Sequence, residues 1–112
     1  MSSLQIVAEE TITATDVKDM LERIQERDEE LSFRAGKTVD HLNHLSLADA
    51  QTKQARIEAI QALEVPRLKL HHIHKIIDLS PRTLKELGVV LSGYTLTVTK
   101  EYQQKIMDAL AA

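Results

Sequence analysis

Apolar side chains recur along most of this chain every three or four residues, the spacing that aligns one face of an α-helix. Val17, Met20, Leu21 and Ile24 fall at i, i+3, i+4 and i+7 and make a narrow apolar stripe on an otherwise charged segment. Thr13 followed by Asp16 has the spacing of a helix N-cap with an acid in the first turn, so the first helix is predicted to begin near Ala14 and to end in the charged run Glu26 to Glu30. Ser32 opens a second helix in which Ala35, Val39, Leu42 and Leu45 share a face and Gly36 offers a place for close helix approach. Ser46, with Asp49 three residues later, is the predicted cap of a third helix, with Ala50, Ile57, Ile60 and Leu63 toward the core. Pro66 stands near the start of a fourth, whose buried face is Leu70, Ile73, Ile76 and Ile77. Ser80-Pro81 reads as N-cap and first residue of a fifth, with Leu84, Leu87 and Leu91 facing inward. Gly88 weakens that helix without ending it, and Ser92-Gly93 stops it, with the glycine in a left-handed terminal position. A last helix is predicted from about Thr99, with Tyr102, Ile106 and Leu110 on one stripe.

The first residues follow a different rule. Leu4-Gln-Ile-Val-Ala8 reads as a short strand, which Thr11-Ile12-Thr13 extends or pairs with, and such a strand forms no sheet by itself. It either joins a partner's sheet, packs across this protein's own helices, or frays. The pattern therefore predicts a mainly α protein: a short N-terminal β-strand followed by a helical bundle. Residues 1–30, strand and first helix, are assigned to partner binding, and residues 31–112 to the helical domain.

Composition agrees with helices. The chain has 112 residues, enough for one modest core, and its only aromatics are Phe33, Tyr94 and Tyr102, so that core is aliphatic. The absence of cysteine excludes disulfides, thiolate metal sites and cysteine nucleophiles and makes a reducing cytoplasm the default location. No apolar run approaches the ~20 residues that span a bilayer, and no signal peptide is expected, so the protein is expected to be soluble with no membrane partner.

The net charge of −3 conceals an asymmetry: residues 1–50 carry 11 acidic and 5 basic side chains, residues 51–112 carry 6 acidic and 9 basic. Arg67, Lys69, Lys75, Arg82 and Lys85 share one stretch with three histidines and a single acid, Asp78, which makes them the candidates for contact with nucleic acid or another anionic partner. That stretch has no aromatic for base stacking, so an ordinary solvated helix face is the competing reading. Val89, Val90 and Leu91 mark a candidate partner surface, since one helix does not bury all three in its own core.

Catalytic chemistry finds little footing. His71, His72 and His74, and the pair His41 and His44, lack the i, i+4 spacing of a zinc helix and any accompanying carboxylate cluster, and His71 and Lys75 lie opposite the apolar stripe with His72 and His74 on its flanks. Solvated or boundary roles are predicted for them. Gly36, Gly88 and Gly93 stand singly, with no phosphate loop around them, and no local motif favours a nucleophilic serine or threonine. No metal, cofactor or catalytic residue is predicted.

The ordered segments as a whole resemble the smaller stalk subunit of archaeal DNA-directed RNA polymerase, the counterpart of the smaller stalk subunit of eukaryotic RNA polymerase II. The resemblance covers nearly the whole chain: the N-terminal strand, Thr13-Ala-Thr-Asp-Val-Lys-Asp-Met-Leu21, Glu30-Leu-Ser-Phe33, Thr38-Val-Asp-His-Leu42 and the C-terminal helices. Its most specific part is Ile73-His-Lys-Ile-Ile-Asp-Leu-Ser-Pro-Arg-Thr-Leu-Lys-Glu-Leu87. His41, Gly88 and the Ala-Leu-Ala-Ala terminus depart from the family's pattern. The resemblance implies a non-catalytic component of a DNA-directed RNA polymerase, a heterodimer with the larger stalk subunit, and a C-terminal part with the fold found in helicases and RNase D (HRDC-like). It also implies attachment through that larger partner to the polymerase core, support of initiation and open-complex formation with an initiation factor, and handling of nascent RNA. Leu4, Ile6, Val7, Ile12, Val17, Met20, Leu21 and Ile24 are then the expected contacts to the larger stalk subunit. A stand-alone helical module binding nucleic acid through the five basic residues is the alternative.

Overall fold

The structure is a computed structural model that describes residues 4–111. Six helices follow one another: α1 (Ala14–Asp28), α2 (Phe33–Asn43), α3 (Ala50–Gln61), α4 (Leu70–Leu79), α5 (Leu84–Leu91) and α6 (Lys100–Ala111). The predicted mainly helical class is observed. No strand forms among the described residues: residues 4–13 have no regular structure, and the strand expected over Leu4 to Ala8 is not seen.

The start of α1 is built as its sequence predicts. The Thr13 hydroxyl accepts from the Asp16 N–H at 3.2 Å and the Asp16 carboxylate accepts from the Thr13 N–H at 3.0 Å, which satisfies two backbone donors that the first turn leaves free. The helix ends at Glu29, which takes a left-handed conformation (φ 65°). Ser32 caps α2 as expected, through the Ala35 N–H.

Three predicted caps shift. The cap of α3 is Asp49, not Ser46, because the Asp49 carboxylate itself takes the Thr52 N–H at 2.7 Å, and Ala50 consequently lies in the exposed first turn. Ser80 closes α4 in a left-handed conformation (φ 44°, ψ 61°) instead of opening α5, and Thr83 caps α5 through the Glu86 N–H. Pro66 lies in the exposed turn ahead of α4, which Lys69 opens. Gly93 is likewise not left-handed: α5 ends at Ser92 in right-handed geometry, and the positive φ angles belong to Glu29, Glu64, Arg67 and Ser80. Gly36 serves no close approach, since a Cβ built there meets nothing within 4 Å.

Helices α3 to α6 pack in a closed ring, α3 on α4, α4 on α5, α5 on α6 and α6 back on α3. The main hydrophobic cluster belongs to this ring and its connections, Ile57, Ile60, Val65, Ile73, Ile76, Ile77, Leu87, Leu91, Val98, Ile106 and Leu110, while Leu42 of α2 is buried apart from it. Leu45, Leu70 and Leu84, predicted to face inward, are exposed. Each sits at or beyond the end of its helix, where the periodic face has run past the neighbour that would cover it. Helix α1 packs on α2 and α3, so α1 and α2 form a hairpin laid against the ring. The resulting molecule is elongated, 50 × 32 × 22 Å, with a radius of gyration of 16.5 Å where a compact domain of this length has about 13 Å.

Candidate partner-binding surface

Helix α1 is held to the ring by polar groups brought together from four stretches of the chain. Lys53 Nζ on α3 donates to Asp16 Oδ1 at 2.7 Å, and the pair is largely shielded, with side-chain exposures of 11% and 27%. The Ala14 N–H, another donor left free at the helix start, goes to Asp78 Oδ1 in the last turn of α4 at 2.8 Å. The Thr15 hydroxyl donates to the Ala48 carbonyl at 2.7 Å, and the Thr11 hydroxyl is hydrogen-bonded to His74 Nδ1. Thr13 and Thr15 are buried in this junction. Burial pushes the Asp16 carboxyl upward, but the Lys53 ammonium and the Thr13 N–H and hydroxyl more than offset it and hold Asp16 below its ordinary value. Burial raises Asp78, with the Ala14 N–H opposing. His74 lies below its ordinary value because burial outweighs the pull of Asp16 and Asp78.

This clamp fixes α1 against the ring, with the irregular segment of residues 4–10 running ahead of it. Leu4, Ile6 and Val7 project almost fully into solvent, at 99%, 77% and 97% exposure, ahead of the anchored Thr11. Ile12, Met20 and Ile24 are also exposed, whereas Val17 and Leu21 of the same α1 stripe are half-buried. The eight candidate contacts thus grade from Leu4, Ile6 and Val7, which have little cover, through the partly covered Ile12, Met20 and Ile24, to Val17 and Leu21, which are spent more fully against the protein itself. Phe33 joins them at 79% exposure, with only the Lys37 ammonium 5.4 Å from its ring. Periodicity does not single it out, although an aromatic in the first turn of a helix, directly after its cap, has no preceding turn to pack on.

The five candidate nucleic-acid residues are all exposed. Arg67 and Lys69 precede α4 and Arg82 and Lys85 follow it, so the two groups stand about 15 Å apart along the ten-residue helix, with Lys75 between them. The stretch that has no aromatic of its own acquires one from elsewhere: Tyr94, in the α5–α6 connection, sets its ring edge-on to His72 (centroids 4.5 Å apart, 81°) and 5.9 Å from His71. His72 has a structural duty as well. Its Nδ1 accepts from the Lys69 N–H at 2.9 Å, the reciprocal half of a capping box with imidazole in place of a carboxylate, and burial holds it below its ordinary value, with His71 and Lys69 adding to the effect. His71 is exposed, His72 and His74 are buried, and His41 and His44 are exposed on α2 and its end.

No group of three or more histidines and carboxylates able to hold a metal occurs among the described residues. No described helix is long and apolar enough to cross a membrane. No protein-family model matches the chain, and no curated protein matches its sequence.

Proposed function

We propose that this chain is the smaller stalk subunit of an archaeal RNA polymerase, a non-catalytic cytoplasmic protein that works as a heterodimer with the larger stalk subunit. The observation that supports the reading best is the row Leu4, Ile6 and Val7, left in solvent by a protein whose core lies in another part of the molecule. A segment with alternate apolar side chains and unpaired backbone donors and acceptors suits strand addition, in which main-chain hydrogen bonds give affinity and side-chain pockets give specificity. Met20, Ile24 and Phe33 extend the same apolar surface along the α1–α2 hairpin. In this reading the α3–α6 ring is the HRDC-like part, and the stalk supports open-complex formation and handles emerging RNA.

Co-expression with the larger stalk subunit is expected to yield a one-to-one complex. Removing residues 1–10 leaves the Thr11–His74 anchor in place and is expected to weaken that complex at least about tenfold, a loss of about 1.4 kcal/mol. Ile6→Pro, which deletes one ladder donor, is expected to do the same in the full chain. Unchanged affinity in both variants refutes strand addition.

A second reading, a helical nucleic-acid-binding module, draws support from the His71–His72–Tyr94 ring cluster beside Lys69 and Arg67. It predicts salt-dependent binding of a single-stranded oligonucleotide by the isolated chain, lost in Tyr94→Ala and in a variant with Arg67 and Lys69 both changed to Gln.

A further inference from the structure

The end of α4, the Ser80–Thr83 turn and α5 enclose an open groove. Helix α5 has eight residues, and Leu87 and Leu91 are its buried apolar positions. Val89 follows Leu87 by two residues, about 200° around the helix, and therefore faces away from the core. It is 67% exposed, and Leu79, the last residue of α4, is 53% exposed. With Pro81 and Val90 they make an aliphatic floor.

The rim carries a positive excess. Arg82 and Lys85 line it with one acid, Glu86, and Arg56 lines the crevice on the other side of the same turn, which shares Pro81 and Arg82. The ion pairs among the described residues are Arg27–Asp28, Lys53–Asp16 and Lys105–Glu101, so none of these three cations has a carboxylate within 4.0 Å there. The acids nearby also serve the backbone: Glu86 Oε2 accepts from the Arg82 N–H at 2.6 Å, and Asp49 caps α3 through the Thr52 N–H, which holds it below its ordinary value with a smaller pull from Arg56. The Nε of Arg56 is buried without a hydrogen-bond partner. The groove is lined by no aromatic ring, which removes the stacking surface that single-stranded nucleic acid uses.

We propose that this groove docks a short acidic amphipathic segment of another protein. Its apolar side chains rest on Leu79, Pro81, Val89 and Val90, and its carboxylates meet Arg82 and Lys85. Helix α5 packs on α4 and α6, whereas α1 packs on α2 and α3, so this surface is distinct from the one assigned to the larger stalk subunit. The excess of positive charge on the rim, Arg82 and Lys85 against Glu86, selects the sign of the partner, and the exposed valine and leucine supply the anchor that separates docking from general ion attraction.

The test is a titration of the isotope-labelled full chain with a synthetic helix-forming peptide of about 15 residues, leucine at i, i+3 and i+7 and Asp or Glu elsewhere. A lysine-for-acid counterpart and a single-stranded oligonucleotide run in parallel. The expected result is amide shifts concentrated in Leu79–Leu91, with binding weakened about tenfold by Val89→Asp and about tenfold by Arg82→Glu combined with Lys85→Glu. The charge-reversed variant is expected to gain binding to the lysine peptide. All three positions are exposed, so both variants are expected to keep the parent melting temperature, and Val89→Gln serves in place of Val89→Asp if the latter does not. Absence of shifts at millimolar acidic peptide, or equal binding of both peptides, overturns the proposal. Oligonucleotide shifts at these residues with a silent acidic peptide would assign the groove to nucleic acid. Self-association that shifts the same residues would assign it to a second copy. Either outcome overturns the proposal while leaving the stalk reading intact.

Discussion

Lys53 Nζ lies 2.7 Å from Asp16 Oδ1, and Asp16 is at the same time the reciprocal acid of the α1 capping box. One carboxylate thus closes a local motif and ties that motif to a helix 37 residues away. Removing it breaks both. Asp16→Ala is expected to cost about 2–3 kcal/mol, combining a lost cap with an ammonium left partly buried and unpaired. Lys53→Met, which keeps the stem and the cap, is expected to cost about 1–2 kcal/mol, between the values for exposed and fully buried pairs. Denaturant unfolding of both variants and the double variant gives the coupling, and additive losses would show that the pair contributes nothing beyond its parts.

Acidification is expected to destabilise the protein through His72 and His74. Both are held below the ordinary value near 6.5, so the unfolded chain takes up their protons first. Their contribution is whole above about that pH and is lost as pH falls below it. Asp78 is raised above 3.8 by burial and works in the opposite sense, adding stability as pH falls through its folded value toward 3.8. Asp16 is lowered and adds a further loss below 3.8. The urea midpoint is therefore expected to fall between pH 7 and about pH 5, and His72→Gln, which keeps an acceptor for the Lys69 N–H, is expected to flatten that fall. An identical pH profile in the variant would remove His72 as a cause.

Two backbone positions invite opposite substitutions. Gly88 lies inside α5, has no positive φ and has open space where a Cβ would stand, so Gly88→Ala is expected to stabilise by about 0.5–1 kcal/mol. Glu29 is left-handed at the end of α1, so Glu29→Gly is expected to stabilise by a similar amount, about 0.5–1 kcal/mol, as relief of the left-handed strain exceeds the added chain entropy. Thermal unfolding checks both, and a lower melting temperature for either variant contradicts the backbone geometry.

Apolar truncations are expected to separate folding from assembly. Ile76→Ala empties a fully buried position in the ring and is expected to cost about 3 kcal/mol. Met20→Ala and Ile24→Ala remove side chains that are exposed in the free chain and are expected to change its stability by less than about 0.5 kcal/mol while weakening the complex with the larger stalk subunit. A destabilised free chain in the latter pair would mean that these residues serve the fold instead.

Helix existence and the inward stripe of the ring were legible because both depend on side chains three and four residues apart. Ile73, Ile76 and Ile77 are buried as their spacing implies, as are Ile57, Ile60, Leu87, Leu91, Ile106 and Leu110. Caps were only partly legible. Ser32 had no competitor, and Thr13 held its place with Asp16 three residues on as the reciprocal acid of its capping box, whereas Ser46 lost to Asp49 and Ser80 to Thr83, each also three residues downstream. Periodicity also extended the apolar faces through Leu45, Leu70 and Leu84, where the neighbouring helix no longer reaches.

The candidate surfaces divide in the same way. The apolar residues Leu4, Ile6, Val7, Met20 and Ile24 stand out from their order along the chain, but only the packing shows the first three in solvent and Met20 and Ile24 partly exposed, while Val17 and Leu21 are half-spent on the protein itself. The clamp of Lys53 on Asp16, Asp78 on the Ala14 N–H and His74 on Thr11 joins residues 37, 64 and 63 positions apart, and Tyr94 reaches His72 by the same kind of long-range approach. Local periodicity and capping determined that this chain forms helices and which faces are apolar, because those energies arise between near neighbours. Which apolar faces stay in water, which charges are paired and which are left open along α5 was decided by how the ring closes, since each depends on groups that no sequence spacing relates.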